Sequence, residues 1–371
     1  MQAIFLNKCS SQLGTLSRNI DINIINITIN FTKKRGSGNM SYLYINENGA
    51  NISVEESYVK VSYKDGLIKK IPIETLDSIQ IFSKANMTTP CTIECIKRGI
   101  VVAYYSKSGS YFGRLESTGH INVERQRQQC RLYNTDFSLN LGKKIISAKI
   151  HNQKVVLKRY LRNSRKTLDE EIKMLKIQEE KVCCAKNVNQ IMGYEGIAAR
   201  YYFQGLSQLI DKQFAFTGRN RRPPKDEFNS MISLGYSILM NEYYGKIVAH
   251  GLNPYFGFIH SDKERHPTLV SDLIEEWRAV IVDSLVMSLI NGHEILKEHF
   301  AYGIDNPGIY LTTDGMKIFL NKYDKKIRTE VKYYEDESSM PFRRAMDIQI
   351  GKLVHAIEDE DITLYEPFKI R

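Results

Sequence analysis

The sequence of 371 residues lacks any apolar segment long enough to cross a membrane. A membrane-spanning helix needs about 20 apolar residues, and the longest candidate, 280–290, is shorter and is interrupted by Asp283. The hydrophobic fraction of 42% and the charged fraction of 25% are typical of globular proteins. These features exclude a membrane-spanning bundle, a wholly disordered chain and a collagen-like repeat.

Cysteine is scarce and is poorly spaced for a metal site. The six cysteines are Cys9, Cys91, Cys95, Cys130, Cys183 and Cys184. They form no paired CxxC motif, and no His lies at zinc-finger spacing from them. We therefore expect reduced, partly buried thiols in a cytoplasmic protein.

Three common nucleotide-binding and hydrolase motifs are also missing. The sequence has no Walker loop, no GxSxG nucleophile elbow and no Rossmann glycine fingerprint. Lys and Arg number 52 against 42 Asp and Glu, which gives a net charge of +10. A basic excess favours a polyanionic partner, with nucleic acid first and an acidic membrane surface second.

Two regions concentrate this positive charge. The segment 143–181 contains no Pro and twelve Lys or Arg against five acids, so it predicts one or two long helices. The loop RNRRPP carries Arg219, Arg221 and Arg222 ahead of two prolines. Each region is either a solvated surface or a contact for DNA phosphates, and the residues alone leave both interpretations open.

The spacing of apolar residues divides the chain into an N-terminal leader, a strand-rich part and a helical part. Residues 1–39 end in the linker-like KKRGSGN, and we expect this leader to lie outside the core, so that a chain starting at Met40 still folds. An accessory strand formed by INIINITINF is the alternative. From 40 to 122 the period is that of strands, and from 123 to 371 it is that of helices. The predicted class is α+β: an N-terminal, mostly antiparallel β domain followed by a larger all-α catalytic domain.

Individual elements follow from the same patterns and from turn residues. Strands are predicted at 42–46, 58–63, 67–73, 78–82 and 100–106, with a short helix at 89–99. Further helices are predicted at 190–210, 228–250, 269–291 and 341–358.

Side chains that bind metals recur at three places in the helical half. Glu195 lies in GYEGIAARYYF, His260 ends GLNPYFGFIH, and Asp272 and Glu275 share one helical face in LVSDLIEEWR. Each also has an ordinary interpretation: a helix-capping acid, a core histidine and a solvated acidic face. Taken together, two or three carboxylates and one imidazole suit Mg²⁺ or Mn²⁺. In a basic protein such a metal indicates phosphodiester chemistry.

Several segments, taken in order, resemble the CRISPR-associated adaptation endonuclease/integrase family known as Cas1. They are YLYINENGANISVEESYVKV, IPIETLDSIQIF, SGSYFGRL, GYEGIAARYYF, the stretch 221–260, SDLIEEWR and YLTTDGMKIFLNKY. The resemblance runs from about Met40 to the C-terminus, and the leader has no counterpart in it. Asn253 and Glu276 depart from the family pattern, which usually has Asp and Pro there.

The resemblance implies a metal site and an activity. It assigns Glu195, His260 and Glu275 as metal ligands and catalytic residues, Asp272 as a supporting acid, and Arg278 as a residue suited to the DNA backbone. It implies a homodimer that assembles with Cas2 and holds double-stranded DNA with 3′ overhangs, whose 3′-OH attacks CRISPR repeat DNA. A free-standing metal-dependent nuclease and a non-catalytic DNA-binding scaffold are the rival hypotheses.

Overall fold

Strands and one helix form the N-terminal part of the described chain. The computed structural model describes residues 41–119, 121–162, 164–221, 223–303, 307–332 and 339–371, so the leader, Met40 and Arg222 lie outside it. The elements are β1 Ser41–Ile45, β2 Asn51–Glu55, β3 Tyr58–Ser62, β4 Ile68–Pro72, β5 Leu76–Ile81, β6 Asn86–Met87, α1 Thr89–Lys97, β7 Val101–Tyr105 and β8 Tyr111–Leu115.

These strands form two four-stranded sheets of mixed direction. Their orders are β1-β5-β7-β8 and β4-β3-β2-β6. The expected antiparallel pairing is found for β2-β3, β3-β4 and β7-β8, whereas β5 pairs in parallel with both β1 and β7, and β2 pairs in parallel with β6. Parallel neighbours need a crossover connection, and α1 provides one between β5 and β7. Alternation along a strand reports burial and not direction, which is why the sequence could not show this.

Helices dominate the rest of the described chain, as the sequence predicted. They are α2 Val123–Arg131, α3 Asp136–Leu161, α4 Asp169–Cys183, α5 Val188–Leu209, α6 Glu227–Ala249, α7 Thr268–Leu273, α8 Glu275–Trp277, α9 Ser284–Asn291, α10 Thr313–Ile327 and α11 Phe342–Glu358. Two short hairpins pair β9 Phe300–Tyr302 with β10 Ile309–Leu311 and β11 Glu330–Lys332 with β12 Ser339–Pro341. The fold class of an N-terminal β region followed by a mostly helical region is confirmed.

Packing of the helices positions the candidate site. The basic segment 143–181 forms two helices, α3 and α4, which pack against each other and against α5. The predicted helix 269–291 is divided into α7, α8, a π-helix at Arg278–Asp283, and α9. Within the described ranges no helix is both long and apolar enough to cross a membrane. The cysteines in these ranges are free thiols, two of them buried.

A buried ion pair joins the β region to the helices. Arg343 of α11 and Glu242 of α6 are almost fully buried and pair through Nη2 and Oε1 at 3.0 Å. Tyr44 of β1 accepts a hydrogen bond from Arg343 Nη2 at 3.2 Å, and the Arg343 guanidinium lies 3.9 Å from the centre of the Tyr42 ring. The turn between β7 and β8 also contacts α6. Gly109 in this turn has a φ of +85°, and a Cβ at this position would clash with Leu234 Cδ1 of α6.

Replacing Arg343 by Met should destabilise the protein strongly. The change leaves the Glu242 carboxyl buried without its cation, a defect that costs about 3–5 kcal/mol. Urea unfolding of both proteins measures the loss. Arg344→Met is the matched control, because Arg344 is exposed and its pair with Asp347 should contribute about 1 kcal/mol or less. Equal unfolding midpoints for the two variants would contradict the role of this pair.

Candidate active site

Glu195 lies in the interior of α5. Asn187 caps this helix by accepting a hydrogen bond from the Gln190 N–H at 2.9 Å, so the helix begins well before Glu195. The interpretation of Glu195 as a helix-capping acid is therefore wrong, whereas the helix predicted over 190–210 is present. Glycines in a helix interior each cost about 1 kcal/mol, and here packing of the buried Ala198 and Tyr202 outweighs that local preference.

The two glycines beside Glu195 leave the helix surface bare. Gly193 and Gly196 are both exposed, and a Cβ at either position would meet no described atom within 4 Å apart from those of the adjoining residues and the backbone of α5 itself. Packing within the described chain therefore does not require them. They provide a surface without side chains next to the Glu195 carboxylate, where a large ligand can approach the helix backbone.

Asp272 positions His260. Its fully buried carboxylate accepts hydrogen bonds from the backbone N–H groups of Phe258, Ile259 and His260 at 2.6, 3.1 and 3.0 Å. It also accepts a hydrogen bond from His260 Nδ1 at 2.7 Å, which leaves Nε2 as the ring nitrogen that faces Glu275. With these donors on both oxygens, Asp272 is a positioning residue for His260.

A glycine makes this arrangement possible. A Cβ at Gly257 would lie 2.8 Å from Thr268 Cβ and 2.9 Å from Asp272 Oδ2. The loop before His260 can therefore approach α7 closely only with glycine at this position.

Glu275 is almost completely buried and has charged neighbours on several sides. Its Oε1 lies 3.1 Å from Arg278 Nη1 and 3.8 Å from His260 Nε2, and its Oε2 lies 2.6 Å from Lys149 Nζ. Lys149 Nζ also donates a hydrogen bond to Glu195 Oε1. Lys149 thus links Glu195 to Glu275, and His260 adjoins this pair through Glu275 Oε1.

Opposite charges control the protonation of this site. Burial raises the pKa of Glu275, but Arg278, Lys149 and His260 outweigh it and lower that pKa to about 2. Burial lowers the pKa of Lys149, but Glu195 and Glu275 outweigh it and raise that pKa above its ordinary value. At neutral pH the site therefore contains an ionised Glu275 beside a protonated Lys149.

Lys149 escaped the sequence analysis because it belongs to the basic segment 143–181. A signal was present, since Lys149 lies on the face of α3 that carries Ile145 and Asn152, both buried. A lysine on a buried helical face must have a partner of opposite charge, because an unpaired buried charge is very costly.

The residues fit a divalent metal, although they do not form a ready-made cage. Among the described residues no three His, Cys, Asp or Glu side chains lie close enough together to hold an ion. The Lys149 ammonium lies between the two carboxylates that would bind one. Glu275 Oε2 has no hydrogen-bond partner of good geometry in the described chain, despite the nearby Lys149. Two carboxylates and the free His260 Nε2 are a donor set that suits Mg²⁺ or Mn²⁺.

The basic residues expected to bind DNA differ in their surroundings. Arg278 lies inside the site, next to Glu275 and 4.9 Å from the centre of the Tyr236 ring. Arg219 donates hydrogen bonds to Asn229 Oδ1 at 2.8 Å and Ser233 Oγ at 3.1 Å, so its guanidinium is engaged within the protein. Arg221 is exposed, whereas Arg222 lies outside the described residues.

Two further buried acids support the site, and the sequence analysis gave neither a role there. Asp283 accepts hydrogen bonds from Tyr202 of α5 at 2.9 Å and from Tyr236 of α6 at 2.6 Å, which ties both helices to the π-helix. Glu276 accepts hydrogen bonds from Tyr365 OH at 2.7 Å and the Phe368 N–H at 2.6 Å, which ties the C-terminal segment to α8. Burial raises the pKa of Asp283 to about 6 and that of Glu276 to about 8.

Comparison with known proteins gives consistent results. A family model described as CRISPR associated protein Cas1 matches residues 43–325. The CRISPR-associated endonuclease Cas1 of Mycobacterium tuberculosis is 35% identical over 323 residues, which cover 86% of this chain and 94% of that protein. A protein of Thermus thermophilus, CRISPR-associated endonuclease Cas1 3, is 30% identical over 341 residues, with coverage of 91% and 99%.

Solved structures share the fold. A CAS1 protein from Thermotoga maritima has a TM-score of 0.75 at 23% identity, covering 89% of this chain and 100% of that one. A chain of a Cas6-RT-Cas1–Cas2 complex has a TM-score of 0.79 at 24% identity; the match covers 91% of this chain but only 37% of that chain.

The Asp283→Asn variant should change how stability depends on pH. The pKa of Asp283 is raised to about 6 in the folded state from 3.8 in the unfolded state. The stabilisation that the protonated Asp283 gives the folded protein is therefore complete below pH 3.8 and is lost as the pH rises through 6. We measure the free energy of unfolding of both proteins in urea between pH 4.5 and 7.5. As the pH rises over this range, the free energy of unfolding of the variant should increase relative to that of the wild type by on the order of a few kcal/mol. Asp262→Asn, at an exposed position, is the control. Parallel pH profiles for wild type and Asp283→Asn would contradict the expectation.

Proposed function

The chain belongs to the CRISPR-associated Cas1 family, and from that premise we propose that it is a metal-dependent DNA endonuclease and integrase that inserts new spacers into a CRISPR array. The observation that supports the proposal is the contact of the Lys149 ammonium with both Glu195 and Glu275, with His260 Nε2 3.8 Å from Glu275 Oε1 and Arg278 beside Glu275. These are the groups that phosphodiester chemistry requires.

Glu195, Glu275 and His260 would hold Mg²⁺ or Mn²⁺. Such a metal, when bound, polarises the scissile phosphate and lowers the pKa of the attacking hydroxyl group. Asp272 keeps His260 in the orientation and tautomer that direct Nε2 toward Glu275. Arg278 carries a guanidinium group that suits a phosphate oxygen, and its side chain keeps 17% of its surface accessible.

The proposed reaction is a transesterification. The 3′-OH of the incoming DNA forms a new bond to a phosphorus atom of the repeat, and the bond from that phosphorus to its original 3′-oxygen breaks. The attacking hydroxyl loses its proton and the leaving 3′-oxygen gains one, so no other reactant is needed. With water as the nucleophile the same site hydrolyses DNA, and this is the proposed endonuclease activity.

We infer the partners from family membership and from the sequence. They are double-stranded DNA with 3′ overhangs, CRISPR repeat DNA, a second copy of the chain and Cas2. The bare surface at Gly193 and Gly196 supports close approach of DNA to Glu195. The net charge of +10 supports a polyanionic substrate.

Glu195→Ala should remove metal-dependent cleavage and strand transfer while the protein still folds. We expect a loss of about 100-fold or more, because a catalytic metal contributes several kcal/mol of charge stabilisation. A gel assay with donor duplex, repeat DNA and Mn²⁺ measures both products. Glu179→Ala is the matched control, since Glu179 pairs with Lys154 on a different part of α3.

The same assay separates the rival functions. Cleavage without strand-transfer products in the presence of repeat DNA and Cas2 would favour the free-standing nuclease. Near-wild-type activity of Glu195→Ala would overturn the site assignment, and no metal-dependent activity in the wild type would favour the DNA-binding scaffold.

Replacing Arg221 and Arg222 together by Ala should weaken DNA binding without changing sequence preference. Each lost phosphate contact should reduce the slope of log affinity against log salt by about 0.9. Fluorescence anisotropy with a duplex at several salt concentrations gives this slope. Arg98→Ala, which disrupts an exposed pair with Glu94, is the control. An unchanged slope would mean that these two side chains are only solvated.

A further inference from the structure

Lys149 occupies the place where the proposed function puts a metal. We propose that Lys149 is an internal counter-cation that competes with the divalent metal for Glu195 and Glu275, and that its ammonium turns to a DNA phosphate when the metal is bound. This inference rests on the proposed function, because it concerns the same site.

The contacts of Lys149 account for the competition. Its side chain is 8% exposed, and Nζ reaches Glu195 on α5 and Glu275 on α8 at the same time. A metal bound by both glutamates would use oxygens that Lys149 now contacts. An ammonium and a dication on one pair of carboxylates repel each other strongly in a buried site. Lys149 must therefore give up at least one of its contacts when the site is loaded.

The net charge of the site indicates that the released Lys149 ammonium would need an anionic partner. Three carboxylates, those of Glu195, Asp272 and Glu275, face two fixed cations, Lys149 and Arg278. With a neutral His260 these groups sum to −1, and a divalent ion changes the sum to +1. One DNA phosphate then restores neutrality.

The phosphate is therefore the natural new partner of Lys149. Because each ligand makes the site more favourable for the other, metal and DNA should bind cooperatively, with Lys149 as the residue that couples them.

A titration of the full-length protein with Mn²⁺ alone, followed by calorimetry, tests the competition. Lys149→Gln removes the competing charge but keeps a polar side chain, so its dissociation constant for Mn²⁺ should be lower than that of the wild type by roughly tenfold. Lys154→Gln, on the same helix but paired with Glu179, should match the wild type. An unchanged or weaker affinity in Lys149→Gln would overturn the proposal.

A second measurement uses the wild type and needs no folded variant. Lysine acylation by a water-soluble reagent, quantified by mass spectrometry, should show Lys149 protected without metal and more reactive when Mn²⁺ is present, while Lys154 stays constant. Lys149 reactivity that is unchanged or reduced by Mn²⁺ would also overturn the proposal.

Glu195→Gln distinguishes this failure from failure of the proposed function. If the wild type binds Mn²⁺ and Glu195→Gln does not, the metal site stands whatever Lys149 does. If neither the wild type nor Lys149→Gln binds Mn²⁺, the metal site and the competition both fail. Cooperativity is tested by repeating the titration with a short duplex: the duplex should tighten Mn²⁺ binding in the wild type and do so less in Lys149→Gln, and an equal effect would overturn the coupling.

Discussion

A carboxylate removed from water must find a cation or several hydrogen-bond donors, and this constraint organises the helical part of the molecule. Buried acids here have partners from other elements: Lys149 and Arg278 for Glu275, backbone N–H groups for Asp272, Tyr365 and Phe368 for Glu276, two tyrosines for Asp283, and Arg343 for Glu242. Because an unpaired buried charge or an unsatisfied buried polar group is costly, each acid fixes the elements that supply its partners. At the candidate site, the cation that pairs with both Glu195 and Glu275 is the Lys149 ammonium.

The spacing of apolar residues along the chain predicted the helices and strands well, because this spacing reports which side chains are buried and burial decides most of the fold. The strands near 42–46 and 58–63 and the helices near 190–210 and 228–250 follow from it. Strand direction did not follow, since β1, β5 and β7 would show the same alternation whether parallel or antiparallel. The capping role considered for Glu195 fails because α5 begins well before it: the glycines around Glu195 disfavour a helix interior locally, and tertiary packing outweighs that preference.

Metal-binding side chains could be selected from the sequence by chemical type, but their roles depend on distances that no pattern contains. Asp272 and Glu275 are equivalent in the sequence, three residues apart on one predicted helix. In the structure both carboxylate oxygens of Asp272 accept hydrogen bonds from backbone N–H groups of the loop that ends at His260. Glu275, in contrast, keeps one oxygen without a hydrogen-bond partner of good geometry in the described chain. Lys149 was one of twelve basic residues in its segment, and only three-dimensional packing separates it from the solvated ones.

The irregular backbone from α7 to α9 follows from the same constraint. Glu275 and Glu276 are adjacent and both buried, yet one faces the site while the other holds the C-terminal segment. Asn152, three residues after Lys149 on α3, donates to the Glu276 and Phe368 carbonyl oxygens at 2.8 and 3.0 Å. The C-terminal segment thus joins α3, which carries Lys149, to α8, which carries Glu275.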